Sequence, residues 1–473
     1  MMLFVAARRG VGAALLALGV CTFWAPCAQA AGLFLAPRGV RALARAGAFV
    51  AGADDVHALS YNPAGLARAR HQLVLDAALP IHDTSYTRSI LGDGNYEPVS
   101  QGRGLGVPSP TLGVVHDLGL SKYGLGFGLS VSADYPLMQN WADPTDTPLA
   151  PQRYAIGSFD GTAMARVAAG VGYRPWPLLA VGASLQLLVG SFNSQSTIST
   201  CDGASCIQPE NPSYDAVIAM QAKNIVVPGA AFGLKLHVRP WLVLGASWET
   251  GYTIAQQARV RIRLPTAPIY ANAVLDPPEP VAKVTMRLPQ TARLGVEARK
   301  VGLGCIELSA VFEPWHVHDS IDVALQTATL RQVLALDTYS IGNISLARGF
   351  RDTYSVRLGG EWTPSFGFLA GHHPLSVRAG AMFEPSAISV DMMTPMSVDL
   401  DKILASVGGA LQLGRWQVEV AIAHVFMWDR LVTDSKVYQV NPVRPAFTNV
   451  TAIGNGHYQS HATILGAGVR LAL

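Results

Sequence analysis

The residues whose types and spacing suit chemistry are few. They are two glycine triplets, Gly102-x-Gly104-x-Gly106 and Gly124-x-Gly126-x-Gly128, the pair Cys201 and Cys206, and the adjacent His372-His373. Glycine triplets can cradle phosphate, but neither triplet opens a helix after a strand in an αβ pattern. Glycine inside a strand more often marks a bend, a bulge or a close approach. The two cysteines bracket Asp202-Gly203-Ala204-Ser205, and in an oxidising compartment that spacing favours a small loop disulfide; a metal pair would lack nearby histidines. Two adjacent histidines in a turn can bind a metal or simply be solvated, and we assign no metal there. The chain carries no GxSxG, no HExxH and no Cys-x-x-Cys, so neither a catalytic role nor a cofactor is expected.

Composition narrows the class. Arg8 and Arg9, the apolar run Val11 to Phe23 and the triplet Ala28-Gln29-Ala30 read as a secretory signal over residues 1–30, with an N-terminal anchor as the alternative. Cys21 and Cys27 leave with that signal. The chain is 50% hydrophobic and 14% charged, with mean hydropathy +0.27, which is too apolar for an ordinary soluble protein. No run of about eighteen apolar residues follows Phe23, so helical membrane crossing is excluded. A secreted apolar chain without such runs satisfies its backbone in lipid only as a closed barrel. A net charge of +3 argues against nucleic acid as a partner.

The elements that would position these residues follow from periodicity. Residues 71–473 alternate apolar and polar with period two, predicting an antiparallel outer-membrane β-barrel of about fourteen strands, preceded by a helical hatch at 31–70 that plugs the lumen. Short turns such as Leu120-Ser121-Lys122 and Arg239-Pro240-Trp241 alternate with long loops, placing the former in the periplasm and the latter outside the cell. Single strands are expected over Trp241–Arg263, Pro280–Arg299 and Leu303–Leu325. Parity sends Trp416, Val418, Val420 and Ile422 to lipid, and Arg287, Arg293, Glu297 and Arg299 to the lumen. Cys305 shares the lumenal parity of Glu307, and the last strand ends on Leu473 where an aromatic is usual.

Tyr61-Asn62-Pro63-Ala64-Gly65-Leu66-Ala67, following an Ala- and Gly-rich segment from Gly32, resembles the hatch of the FadL/TodX-type outer-membrane transporters. Tyr123 to Pro136, Leu288-Pro289-Gln290-Thr291 and Gly349 to Gly359 are similar to that family's third, eighth and tenth strands. The resemblance implies a passive uptake channel for long-chain fatty acids, alkanes or aromatic hydrocarbons, with sideways release through a kink in the third strand. Gly124, Gly126 and Gly128 could relax that strand, or equally could admit tight packing of the hatch. Asn62, Pro63 and Ala64 should form a fixed hatch turn, and Phe34 and Phe49 are apolar candidates for the channel. A fatty carboxylate needs a positive partner, for which Arg351 is the first candidate, with Arg357 and Arg166 behind it. The alternative is that these arginines pair with lumenal Glu361, Glu384 and Glu419. The fifth strand lacks the basic residue of fatty-acid members, which tilts the reading toward an uncharged or aromatic hydrocarbon. The expected partners are the hydrophobic substrate, outer-membrane lipid and lipopolysaccharide, and the barrel assembly machinery, with the chain acting as a monomer. A general diffusion porin or structural barrel is the competing reading, and an enzyme barrel a third.

Overall fold

The computed structural model describes residues 37–89, 100–105, 108–133, 151–159, 161–201, 210–300, 303–326, 328–333, 336–364, 373–439 and 452–473. The expected signal segment 1–30, Phe34, Cys206 and His372 lie outside them. Fourteen antiparallel strands form the wall, as periodicity predicted. They are β1 (Gln72–Arg88), β2 (Ser109–His116), β3 (Leu125–Ala133), β4 (Ala163–Tyr173), β5 (Leu179–Ser199), β6 (Asp215–Arg239) and β7 (Leu242–Glu249). They continue as β8 (Thr291–Lys300), β9 (Gly304–Glu313), β10 (Thr353–Trp362), β11 (Leu375–Glu384), β12 (Lys402–Leu413), β13 (Trp416–Met427) and β14 (Gly456–Ala472). The last strand pairs with the first over its whole length, from Gln72↔Ala472 to Arg88↔Gly456, which removes both sheet edges.

The faces separate by period two. Leu185 is 75% exposed while its neighbours Ser184 and Gln186 are buried inside, so an apolar face looks outward and a polar one inward. Exposed aromatics collect at two levels: Trp176, Trp241, Trp362 and Trp416 near the short-turn rim, and Phe232, Trp248, Phe312, Tyr354 and Phe426 about one crossing away. Such girdles mark the two surfaces of the apolar layer.

Three expected single strands are each broken at the upper girdle. The β7–β8 ladder runs from Leu242↔Ala298 to Glu249↔Thr291, pauses, and resumes in the same register from Tyr252↔Leu288 to Arg259↔Val281. The pause coincides with Gly251 and with Pro289, which cannot donate to a ladder. Likewise β9 ends at Glu313, a short 3₁₀ turn covers Trp315–Val317, and a strand resumes at Ser320–Gln326. Above these breaks the chemistry of the faces is exchanged. Ile254, Val260, Val284 and Val323 are buried inward, whereas Arg259, Arg261 and Lys283 point outward. Arg287 is exposed with them, so its expected lumenal position is corrected, while Arg293 and Glu297 do lie inside. The cause is the break at Pro289, past which parity no longer propagates.

Placing a charge on the outward face of β13 should be costly within the apolar layer. Val420→Arg is expected to lower folding stability in lipid vesicles by about 2–4 kcal/mol, read by denaturant titration of tryptophan fluorescence, with Val420→Leu near neutral. An unchanged midpoint for Val420→Arg would mean that this face does not meet lipid.

Candidate functional site

The lumen below the upper girdle is filled by the hatch, whose helical turns are Val40–Leu43 and Ala58–Tyr61, followed by a 3₁₀ segment Pro63–Arg68. Such short turns bury little by themselves, so their position depends on the wall. Glu307 of β9 accepts the backbone N–H groups of Val50, Ala51 and Gly52 and the guanidinium of Arg45, which also reaches Glu297 of β8 at 2.8 Å. All three charged groups are buried. A second set of ion pairs leaves the hatch at Asp55 and returns to it at Arg41. Asp55 meets Arg470 (2.7 Å), Arg470 meets Glu419 (2.7 Å), Glu419 meets Arg378 (2.8 Å), Arg378 meets Glu361 (2.9 Å), and Glu361 meets Arg41 (3.0 Å). Bonds to backbone carbonyls complete the ring: Lys235 Nζ to Ala53 O at 2.7 Å, Ser247 Oγ to Tyr61 O at 2.6 Å and Ser184 Oγ to Leu59 O at 2.8 Å.

Asn62 is fully buried within this ring. Its Nδ2 donates to the carbonyls of Val50 and Leu234, both at 3.0 Å, and its Oδ1 accepts the Ala64 N–H at 3.2 Å, with Pro63 opening the 3₁₀ turn. Gly126 and Gly128 face the hatch: a Cβ at Gly126 would collide with the Leu66 carbonyl, and one at Gly128 would stand 2.9 Å from the Leu66 side chain. Gly124 closes the preceding turn at φ 74, a conformation that suits glycine. β3 is paired without a register shift to β2 and β4, from Leu125↔Tyr173 to Ala133↔Ala165 on one side. In this structure the three glycines therefore serve the turn and the hatch, and the described part of β3 contains no break.

Above the hatch lies a cavity of about 350 Å³. Arg38, Ser60 and Tyr61 form its floor, and Phe159, Met164, Leu188, Phe192, Tyr252 and Met286 form an apolar wall drawn from the main buried cluster. Its far corner is made by Trp315, His318 and Arg348. The charges on its lining are mostly matched. Arg166 and Arg293 converge on Glu249, Arg357 reaches Glu384 at 3.7 Å, and Lys436 reaches Asp391 at 2.6 Å.

The structure sorts the expected site residues. Arg166 and Arg357 do line the cavity, with carboxylate partners. Arg351 does not: it precedes β10, its N–H bonds Ala387 O at 2.8 Å, and its guanidinium points to Ile388 O at 3.5 Å. Parity counted inward from β10 fails because the strand begins only at Thr353. Phe49 is likewise not a cavity residue; it is buried in the hatch, edge-on to Tyr61 and beneath the guanidiniums of Arg41 and Arg45. Cys201 is held in a disulfide, its expected partner Cys206 lying outside the described residues. Cys305 is a free thiol of β9 beside the Arg45 clamp.

Among the described residues one cluster has metal-ligand spacing, His71, His116 and Asp117 at the short-turn rim. There His116 Nδ1 accepts the Leu118 N–H at 2.8 Å and Asp117 accepts that of Gly119 at 2.9 Å, the bonding of a tight turn. Sequence reasoning missed Arg348, which sits one residue before the Gly349-Phe350 motif and outside any strand parity. The mainly apolar stretch Ile344 to Phe350, interrupted by Ser345 and Arg348, was the available signal.

A family model described as outer membrane protein transport protein (OMPP1/FadL/TodX) matches residues 21–472. Among solved structures the chain is similar to a Pseudomonas aeruginosa FadL homologue, at 16% identity and TM-score 0.71, over 93% of this chain and 100% of that one. It is also similar to the P. putida toluene transporter TodX, at 15% identity and TM-score 0.62, over 93% and 99% of the two chains. For the Ralstonia pickettii toluene transporter TbuX the values are 14%, 0.56, 92% and 99%. No curated protein matches the chain. At these identities the structural likeness carries the fold alone.

The clamp around Glu307 yields a test. Glu307→Ala leaves three backbone donors without a partner and removes one of the two carboxylates that meet Arg45, a loss of about 3–5 kcal/mol on the scale of a broken buried pair. The barrel should still form, seen as heat-modifiable migration, while the hatch loosens and planar-bilayer conductance rises. Conductance unchanged from the parent would show that the remaining ion pairs and carbonyl bonds hold the plug without Glu307.

Proposed function

Because the chain belongs to the OMPP1/FadL/TodX family of outer-membrane transport proteins, we propose that it is a passive uptake channel for hydrophobic compounds that delivers them sideways into the membrane. The observation that carries this reading is the apolar cavity standing directly on a hatch clamped to the wall. An apolar solute gains by leaving water for such a cavity, at about 25 cal/mol per Å² buried, and would lose that gain in an aqueous pore. A smaller apolar recess of about 70 Å³, bounded by Ile218, Val260, Tyr270 and Leu330, shares Ile198 and Met220 with the main cavity and supports a stepwise approach from the long-loop side. The relatives TodX and TbuX are named as toluene transporters, in keeping with hydrophobic cargo. On this reading the chain works singly, inserted by the barrel assembly machinery among lipid and lipopolysaccharide, and it catalyses no reaction.

Cells expressing the protein should take up labelled dodecane faster than cells lacking it, while liposomes carrying it should swell in small sugars no faster than empty ones. Phe192→Asp places a charge in the apolar wall and is expected to cut uptake about tenfold or more. Asn62→Ala should impair uptake while leaving barrel migration intact. Rapid sugar permeation through the parent protein would instead favour a diffusion porin.

A further inference from the structure

We propose that the outward face of the barrel above the upper girdle holds a lipopolysaccharide molecule by its phosphorylated inner-core sugars, with Lys223, Arg259 and Lys283 as the cations that surround Gln257. The inference rests on the outer-membrane placement of the chain and is independent of what the cavity carries. Strand register brings these residues together. The strand Tyr252–Arg263 is flanked by Val281–Leu288 on one side and by the upper part of β6 on the other. Gln257 pairs with Lys283, and Arg259 pairs with both Val281 and Gln221. The Gln256 side chain donates to Lys223 O at 3.1 Å, which sets Lys223 on the other side of Gln257. Lys223, Gln257, Arg259 and Lys283 are exposed, whereas Ala222, Ala258 and Ala282 beside them are buried, so the first four share the outward face. At the usual strand spacing and rise, the Cα atoms of the three cations stand about 8–10 Å apart around a neutral amide, close enough for their long side chains to converge on one phosphate.

Charge and height select the occupant. Among the described residues none of the three cations has a carboxylate within salt-bridge distance, and the neighbouring acid Glu279 is taken by Arg261 at 2.9 Å. Across the barrel the sign is reversed: the outward residues from the girdle upward on β1, β14 and the turn after β13 include Asp83, Gln459 and Asp429, with Gln459 donating to Asp429 at 2.6 Å. A rim that needed only solvation would not sort its charges by side. The run from Trp248 of the girdle to Gln257 climbs about 22 Å at the usual strand rise and tilt, and exposed Arg287, opposite Thr253, stands about 12 Å up. The headgroup layer of a glycerophospholipid is only about 5–8 Å deep, so its phosphate stays below the three cations. Lipopolysaccharide differs in carrying phosphate and carboxylate groups on sugars that rise well above its acyl chains, and the lower Arg287 stands nearer the phosphates at its base. Basic clusters beside a membrane bind such anionic headgroups, arginine by a charge-assisted, two-pronged hydrogen bond. The same strands turn Ile254, Val260 and Val284 inward to the main apolar cluster, so a sugar bound here braces the cavity wall from outside.

The test uses the full-length protein in non-ionic detergent, with binding titrated by native mass spectrometry. The probes are a rough lipopolysaccharide with a phosphorylated inner core, lipid A without core sugars, phosphatidylglycerol and inorganic phosphate. The parent should bind the core-bearing molecule about tenfold or more tightly than lipid A, and the other two more weakly still. Combining Lys223→Gln, Arg259→Gln and Lys283→Gln should remove that preference while lipid A binding and heat-modifiable migration stay at parent levels, which certifies the fold. Arg331→Gln, at an exposed arginine paired with Asp276, should leave the preference intact. A preference that survives in the triple variant would overturn the proposal, as would equal binding of lipid A and the core-bearing form by the parent. Phosphatidylglycerol or inorganic phosphate binding as tightly as the core-bearing form would also overturn it, reducing the patch to a general anion surface.

Discussion

A barrel of fourteen strands encloses more space than its own side chains fill, so the lumen must be occupied by something that lipid-facing chemistry does not supply. The buried ion pairs supply it. The hatch is too short in regular structure to hold its own shape, and its contacts with the wall are charges that have left water. Once buried, each of them is tolerable only while its partner is present. The sequence of pairs from Asp55 through Arg470, Glu419, Arg378 and Glu361 to Arg41 therefore behaves as a unit. Removing an inner member leaves each of the two groups it joins short of a partner. Such a ring contributes less to net stability than its Coulomb energy suggests, but it makes a partly displaced hatch expensive, which is what a plug requires.

That constraint propagates upward. With the hatch fixed, Ser60 and Tyr61 become a rigid floor, and the apolar side chains above it can enclose a cavity without collapsing onto one another. The glycines of β3 belong to the same arrangement, since their missing Cβ atoms let Leu66 approach the wall. The cavity is thus a product of the clamp and of the breaks in the neighbouring strands together.

The wall was legible in the sequence because period two is a local signal. Trp416 to Ile422 shows both faces within seven residues, and the lumenal placement of Arg293, Glu297 and Glu419 followed from it. The tight turn at Asn62-Pro63 was legible for a similar reason, as both residues act on their own backbone. What the chain did not reveal are relations between distant residues. Asp55 and Arg470 are 415 positions apart, and no pattern along the chain links them. Parity misled where it was carried past the end of a strand: across Pro289 it put Arg287 inside, and across the start of β10 it put Arg351 in the lumen with Arg357. Phe49 was read as a channel residue because its packing against Arg41 and Arg45 exists only in the folded hatch.

The exchange of faces at Gly251, Pro289 and Trp315 has a bearing on how deep the protein sits. Below that level the outward side chains are those a hydrocarbon accepts, and above it Arg259, Arg261 and Lys283 require water or polar headgroups. The chain thus carries its own waterline, and tilting or sinking past it would drag those guanidinium and ammonium groups into the acyl layer. The cavity straddles the same line, since its lining takes Glu249 and Arg293 from below the breaks and Tyr252 and Met286 from above them. A solute resting there is held at the elevation where the surrounding medium changes from polar to oily.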